Sequence, residues 1–348
     1  MNDATLTLLQ NSILDPGDNS TQQLFVADEN VDDTTALLQF ANSMPVITNR
    51  YHIFTAIQHA GNNHHFSDFD FSHIKDSSLQ RLYYRTSKEK PIVHHVINAA
   101  ARLLKTGGEL IIAGEKQQGI QTYTKKAEQR LGSTAVVKKE GSARIGIIQK
   151  KIPGELLPDN DYTTLRPAIT ADDTVFYSKP GVFGWDKIDQ GSEFLAQHLD
   201  TLPIKNAQLL DLGCGYGYLS VMAQKYSLAI THATDNNAAA LLACKKNFAL
   251  HNITGDVFAD HIGASLTPGY DVILCNPPFH QGFDIEHTLA EQFIASSARL
   301  LAKRGQALFV VNSFIALEKV AGKYFGKTDV LADNKRFKLV LLSGRKNN

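Results

Sequence analysis

Two stretches of this chain repeat each other at a fixed distance. Ala101-Arg-Leu-Leu104, followed by Gly108 and the apolar run Leu110 to Ala113, is matched by Ala298-Arg-Leu-Leu301, Gly305 and Ala307 to Val310. The offset is 197 residues at each point (298 − 101, 305 − 108). Each copy reads as a helix end, a glycine turn and a buried strand. A helical stretch and further apolar strands follow, Ala135 to Val137 with Ile145 to Ile148 in one copy and Thr328 to Leu331 with Phe337 to Leu342 in the other. A chain of 348 residues that repeats in this way is expected to form two versions of one domain by internal duplication. Pro153, Pro158, Pro167 and Pro180 crowd between the copies in a stretch with little periodicity. The expected organisation is therefore a first domain over 1–152, a linker over 153–178 and a second domain over 179–348.

In the second half, strand-like and helical runs alternate: Ala207 to Leu212, Tyr218 to Lys225, Ala229 to Thr234, Ala238 to Leu250, Tyr270 to Cys275, Glu286 to Leu301 and Ala307 to Val311. That alternation predicts an α/β fold, a mostly parallel sheet with helices on both faces. Ligands bind such sheets at the carboxyl ends of the strands, which directs attention to the loops after Leu212, Thr234 and Cys275.

The first loop reads Asp211-Leu-Gly-Cys-Gly-Tyr-Gly217. Its glycines let the backbone turn tightly and let a ligand approach it. Asp235 ends the next strand, 24 residues on (235 − 211), where a carboxylate can accept from both hydroxyls of a ribose. A dinucleotide site uses the same geometry. The GxGxG spacing and the acid before the first glycine weigh against it. The loop resembles the first motif of class I methyltransferases, which lies against the amino-acid part of S-adenosylmethionine. The third loop, Asn276-Pro-Pro-Phe279, resembles the fourth motif of methyltransferases that act on planar amides and exocyclic amines. An amine conjugated to a base ring is a poor nucleophile because its lone pair is delocalised. If the Asn276 side-chain oxygen and the Pro277 carbonyl each accept one of its N–H bonds, the lone pair is held towards the methyl group. Phe279 can stack on the base.

Over a wider span, Lys179-Pro-Gly-Val-Phe-Gly-Trp-Asp-Lys-Ile-Asp-Gln-Gly191 and Asn276-Pro-Pro-Phe-His-Gln-Gly282 resemble the RsmC and RlmG family of ribosomal RNA guanine-N2 methyltransferases. The length is nearer to the small-subunit branch. The resemblance implies two tandem class I methyltransferase-like (Rossmann-like) domains. It implies cofactor contacts at Asp211, Gly213, Gly215, Asp235 and Asp260, with Gly191 in a loop over the methionine end. It places the target base at Asn276, Pro277 and Phe279, beside His280. The implied reaction is methylation of N2 of one guanine in 16S RNA of the small subunit. The alternatives are the same chemistry on 23S RNA, or protein-glutamine N5 methylation. The first domain is expected to be degenerate, with Ile13-Leu-Asp-Pro-Gly-Asp18 where the first motif would fall, Ala27-Asp28 resembling Thr234-Asp235, and Leu79-Gln-Arg-Leu-Tyr-Tyr84 in place of the fourth.

Composition narrows the setting. Lys+Arg and Asp+Glu balance at 35 each, but residues 1–49 hold no Lys or Arg, whereas 116–151 hold nine basic residues against Glu128 and Glu140. A second basic stretch, Arg299 to Lys346, carries eleven against three acids. Segregation of this kind builds patches that meet a polyanion, and Lys125, Lys126 and Arg130 are the candidates for phosphate contact. Cys214, Cys244 and Cys275 lack metal-ligand spacing, His64-His65 and His94-His95 lack partners at such spacing, and no metal is expected. With no basic segment ahead of an apolar run, the expectation is a cytoplasmic monomer that does not enter a membrane. Trp185 reads as packing rather than as a base platform.

Overall fold

The computed structural model describes residues 4–13, 22–31, 34–226, 229–278 and 283–346, and the chain divides into two compact units, Met1–Thr164 and Leu165–Asn348. The first unit contains helices α1 (Ala4–Gln10), α2 (Thr34–Ser43), α3 (Tyr51–Ile57), α4 (Lys90–Leu103) and α5 (Ile120–Leu131). Its strands are β1 (Gln23–Ala27), β2 (Val46–Thr48), β3 (His65–Phe66), β4 (Leu79–Arg85), β5 (Leu104–Glu115), β6 (Val136–Glu140) and β7 (Ala143–Gln149), in the sheet order 3-2-1-4-5-7-6. The second unit opens with a hairpin, β8 (Arg166–Ala171) and β9 (Thr174–Ser178). It continues with α6 (Gln190–Ala196), β10 (Gln208–Leu212), α7 (Tyr218–Ala223), β11 (Ile230–Asp235), α8 (Ala238–Leu250), β12 (Val257–Ala259), β13 (Tyr270–Cys275), α9 (Phe283–Leu300), β14 (Leu301–Asn312), α10 (Leu317–Ala321), β15 (Phe325–Asp333) and β16 (Phe337–Arg345). Its sheet order, 12-11-10-13-14-16-15, is that of the first unit repeated. In each sheet six strands run in one direction, and one, β7 or β16, is antiparallel to both of its neighbours. Among the described residues no helix is long and apolar enough to cross a membrane.

At β5 and β14 the duplication holds to the residue. β5 and β14 start and end 197 residues apart (301 − 104, 312 − 115), and both pairings skip at the same place, Leu79/Arg81 against β5 and Tyr270/Val272 against β14. Alternate residues of the central strands enter opposite cores. Leu209, Val272, Leu274 and Leu308 pack on one face, and Leu210, Ile273, Cys275 and Phe309 on the other. Burial on both faces explains the unbroken apolar runs in the sequence.

Residues 166–178, read from the sequence as linker, form the hairpin. Phe176 is fully buried against Tyr216 and Tyr218, and the Asn247 side chain of α8 clamps the hairpin by accepting from Tyr177 N at 2.8 Å and donating to Tyr177 O at 2.9 Å. The alternation that marks a strand is blurred because Val175 is exposed while Ser178 is buried, and Pro167 sits beside a bulge.

The turn after β10 depends on glycine. Gly217, the N-cap of α7, has φ +87, and a Cβ there would lie 2.8 Å from Cys244 Sγ. Gly215 has φ +55 but faces open space, with nothing within 4 Å of the point a Cβ would occupy. Gly217→Ala should therefore cost about 2 to 4 kcal/mol, left-handed strain plus overpacking, and Gly215→Ala only about 1 to 2 kcal/mol. Thermal melts of the two variants test this. Equal melting temperatures would show that Cys244 yields to the added carbon.

Candidate active site

The strand order brings three loops together at one end of the second sheet. From β10 the chain moves outward to β11 and β12, then crosses back to β13 on the other side of β10. The loops after β10 and β13 therefore diverge at a topological switch point, where an α/β sheet opens a crevice.

The glycine turn is held from both sides. Gly213 N and Cys214 N each donate to Thr234 O at 2.9 Å, and Gly215 N donates to Asp235 Oδ2 at 2.9 Å. The second oxygen, Oδ1, accepts from Asn237 N at 2.8 Å, so the half-buried Asp235 carboxylate is aimed by backbone on both sides. Asp211 lies beneath the turn, 1% exposed. Its Oδ2 accepts from Ser220 N at 3.0 Å and from Ser220 Oγ at 2.7 Å, which pins the first turn of α7. Burial lifts its pKa to about 6, with Asp235 adding to the rise and the Ser220 hydrogen bonds opposing it. Asp260 is 2% exposed, and its oxygens accept from Ala264 N at 2.6 Å and from Ser265 N at 3.0 Å, with a further bond from Ser265 Oγ. It shapes the loop after β12 and presents that loop rather than a bare carboxylate.

Asn276 stands at the end of β13, with Pro277 buried behind it and Pro278 exposed. Its Nδ2 lies 2.7 Å from Asp189 Oδ2 and 2.8 Å from Ser192 Oγ. Asp189 is the N-cap of α6 and accepts from Ser192 N at 2.9 Å. The buried Gly191 is wedged among these groups: a Cβ there would come 3.1 Å from Asp189 Oδ2 and 3.5 Å from both polar atoms of the Asn276 side chain. Gly191 was expected over the methionine end of the cofactor, and the structure places it against Asn276. Asp189 and Ser192 received no role from the sequence, although Asp189-x-x-Ser192 ahead of an apolar run is a helix-capping pattern. Phe279 and His280 lie outside the described residues.

S-adenosylmethionine fits this cradle on two observations, the open space over Gly215 and the backbone-aimed carboxylate of Asp235 at the edge of the turn. Burial pushes the thiols of Cys214, Cys244 and Cys275 upward, so none offers a thiolate nucleophile. Trp185 packs against the core with the Arg166 guanidinium 5.0 Å from its ring centre. Of the paired histidines, the ring of His64 accepts from Val46 N, and those of His94 and His95 bond to Pro158 O and Phe69 O.

In the first unit, strand register corrects the placement of the lapsed motifs. Phe25 pairs with Tyr83 as Asp211 pairs with Leu274, and with Val46 as Asp211 pairs with Ala233. The first-motif loop therefore follows β1, at Ala27 to Val31, and not Ile13 to Asp18. Ala27 stands for Gly213, and no glycine lies between Ala27 and Thr34. Thr48, not Asp28, takes the place of Asp235, and its Oγ1 accepts from Arg50 N at 3.1 Å. Arg85, after Leu79 to Tyr84, takes the place of Asn276, with its Nη1 donating to Gln118 Oε1 at 2.7 Å.

Comparison with known proteins agrees with this division. The family model described as "Methyltransferase small domain" matches residues 173–341, and "Methyltransferase small domain N-terminal" matches 18–148. The chain is 31% identical over 332 residues to ribosomal RNA small subunit methyltransferase C of Erwinia tasmaniensis, covering 94% of both chains. It is 30% identical over 260 residues to the protein of that name from Klebsiella pneumoniae, covering 74% of each. Among solved structures, the T. thermophilus 16S rRNA guanine-N2 methyltransferase RsmC, in complex with AdoMet and guanosine, aligns at TM-score 0.81 and 22% identity over 99% of this chain and 92% of that one. A likeness at that identity speaks for the fold.

A pH experiment tests the buried Asp211. Its folded pKa is raised above the unfolded value, so its contribution to stability is full below pH 3.8 and is lost as pH rises through about 6. Asp211→Asn keeps an acceptor for Ser220 and does not titrate. The melting temperature of the wild type should therefore gain on the variant by several degrees as pH falls from about 7 to 4. Parallel melting curves across that range would mean that Asp211 does not titrate there.

Proposed function

The chain belongs to the ribosomal RNA small subunit methyltransferase C family, and from that membership we infer that it moves a methyl group from S-adenosylmethionine to N2 of one guanine in 16S ribosomal RNA. The observation that supports this for its own residues is the arrangement at the switch point, where the Gly213 to Gly217 turn with Asp235 and the Asn276-Pro277 turn stand on adjacent parallel strands. The first would hold the cofactor and the second the amine. Bound S-adenosylmethionine supplies an electrophilic sulfonium methyl.

Asn276 Oδ1 and the Pro277 carbonyl accept the N–H bonds of the guanine amine, which directs its lone pair at the methyl. The product amine is cationic and strongly acidic and passes its proton to water. The base reaches the crevice by leaving its stack. The second unit carries the chemistry. The first, with Ala27, Thr48 and Arg85 at the corresponding positions, holds RNA and supports the fold. The protein acts in the cytoplasm as a monomer, on RNA within the small subunit.

The test is methyl transfer to purified 30S subunits with labelled cofactor, read by nucleoside mass spectrometry. N2-methylguanosine in 16S RNA is the expected product. Label in 23S RNA or in protein glutamine would point to the alternative substrates. Asn276→Ala should slow transfer about 10² to 10³-fold with cofactor affinity nearly intact. Asp235→Ala should weaken cofactor binding by roughly 1.5 to 3 kcal/mol in calorimetry. Normal turnover by the first variant removes the amine-orienting role, and normal binding by the second takes Asp235 out of the site.

The basic stretch of the first unit divides on inspection. Lys125, Lys138 and Lys139 are exposed and Lys126 is half-buried. Arg130 is committed to the fold, with Nε on Asn98 Oδ1 at 3.2 Å and Nη1 on Gly154 O at 2.8 Å. Reversing the four lysines to Glu, with Arg130 left in place, should weaken binding to the subunit. Each phosphate that is no longer neutralised should flatten the log–log salt slope by about 0.7 to 0.9. An unchanged slope would make this stretch ordinary solvated surface.

A further inference from the structure

An amide side chain can be held in two ways that differ by a flip, and only one of them serves an amine. Oδ1 accepts hydrogen bonds, whereas Nδ2 donates them. A flipped Asn276 would set its own N–H bonds against those of the guanine N2 amine, and would suit a carbonyl such as guanine O6 instead. The flip is decided at α6. The nitrogen side of Asn276 contacts Asp189 Oδ2 at 2.7 Å and Ser192 Oγ at 2.8 Å. A carboxylate only accepts, so it enforces Nδ2 on its own side and leaves Oδ1 on the other edge of the amide, away from Asp189.

Asp189 is itself immobilised, because the same oxygen caps α6 by accepting from Ser192 N at 2.9 Å. Gly191, lacking a side chain, lets α6 come this close, since a Cβ would stand 3.1 Å from the shared oxygen.

We propose that Asp189, assisted by Ser192, is a positioning residue that fixes the Asn276 amide in the orientation that selects an amine donor, and so sets the enzyme's choice of an exocyclic amine over a carbonyl. The proposal rests on the reading of Asn276 given above.

The informative variant is Asp189→Asn. Asn caps a helix as well as Asp does, so α6 and the fold are kept. It carries no charge, so the bond that its capping oxygen accepts from Asn276 Nδ2 loses its charge assistance and the hold on the flip weakens. Single-turnover methyl transfer to 30S subunits should slow by about 10- to 100-fold, the range for losing one charge-assisted hydrogen bond. KM for the subunit and the dissociation constant for S-adenosylmethionine should stay within about twofold. In an Asn276→Ala background, Asp189→Asn should add less than about twofold, because its effect passes through Asn276.

A wild-type rate in Asp189→Asn, or the same loss with and without Asn276, overturns the proposal. Full activity in Asn276→Ala alone would instead defeat the underlying reading of the site. If Asn276→Ala turns over too slowly to follow, the ¹⁵N-labelled Asn276 side-chain amide decides. Its proton resonances should move upfield in Asp189→Asn and in Ser192→Ala. Unmoved resonances in both overturn the proposal.

Discussion

The Gly215 N–H bond to Asp235 Oδ2 ties the end of β10 to the end of β11, and the geometry of the site follows from it. Without that carboxylate the turn would meet the neighbouring strand only through the bonds from Gly213 N and Cys214 N to Thr234 O. With it, the left-handed residues Gly213, Gly215 and Gly217 form one platform, under which Asp211 and Ser220 fasten α7. The parallel order of the sheet then places the Asn276-Pro277 turn beside this platform, since β13 pairs directly with β10. Both turns stand at the ends of strands buried on two faces.

The first unit keeps this topology without the residues that use it. Its sheet repeats the strand order, and Ser67 N donates to Thr48 O at 3.0 Å as Asp260 N donates to Asp235 O at 3.1 Å. Yet Asp28 sits fully buried in the loop after β1, and burial drives its carboxyl well above the usual range. Arg85, at the position of Asn276, is 3% exposed and bonded to Gln118. A long cation bonded to a neighbouring side chain stands where the second unit has a short amide. The backbone hydrogen bonds that build the sheet survive, while the side chains that would serve chemistry have been replaced.

Much of this was legible in the sequence, for physical reasons. β13 and β14 announce themselves because burial on both faces demands continuous apolar runs. The glycine turn is recognisable because three of its residues take left-handed backbone, which favours glycine, and Asn276-Pro-Pro because two prolines make a stiff turn. The 197-residue offset is real at β5 and β14, but it does not hold along the chain. Register gives 186 at β1 and β10 (211 − 25), 191 at β4 and β13 (274 − 83) and 197 at β5 and β14 (308 − 111). Connections between strands tolerate changes of length that the strands do not. Extending the constant offset backwards therefore put the lapsed first motif at residues 13–18 instead of 27–31, and the lapsed fourth at 79–84 instead of 85. Asp189 and Ser192 were out of reach for a different reason. Their partner Asn276 is 87 and 84 residues away, and no local pattern joins them.

As proposed above, one site, in the second unit, holds cofactor and guanine so that Asn276 faces the amine. A crystal structure of the protein with S-adenosylhomocysteine and guanosine tests it most directly. Cofactor density is expected only at the Gly213 to Gly217 turn, its ribose on Asp235, with guanosine N2 within hydrogen-bonding distance of Asn276 Oδ1. Cofactor at the Ala27 to Val31 loop, or guanosine presenting O6 rather than N2 to Asn276, would contradict it.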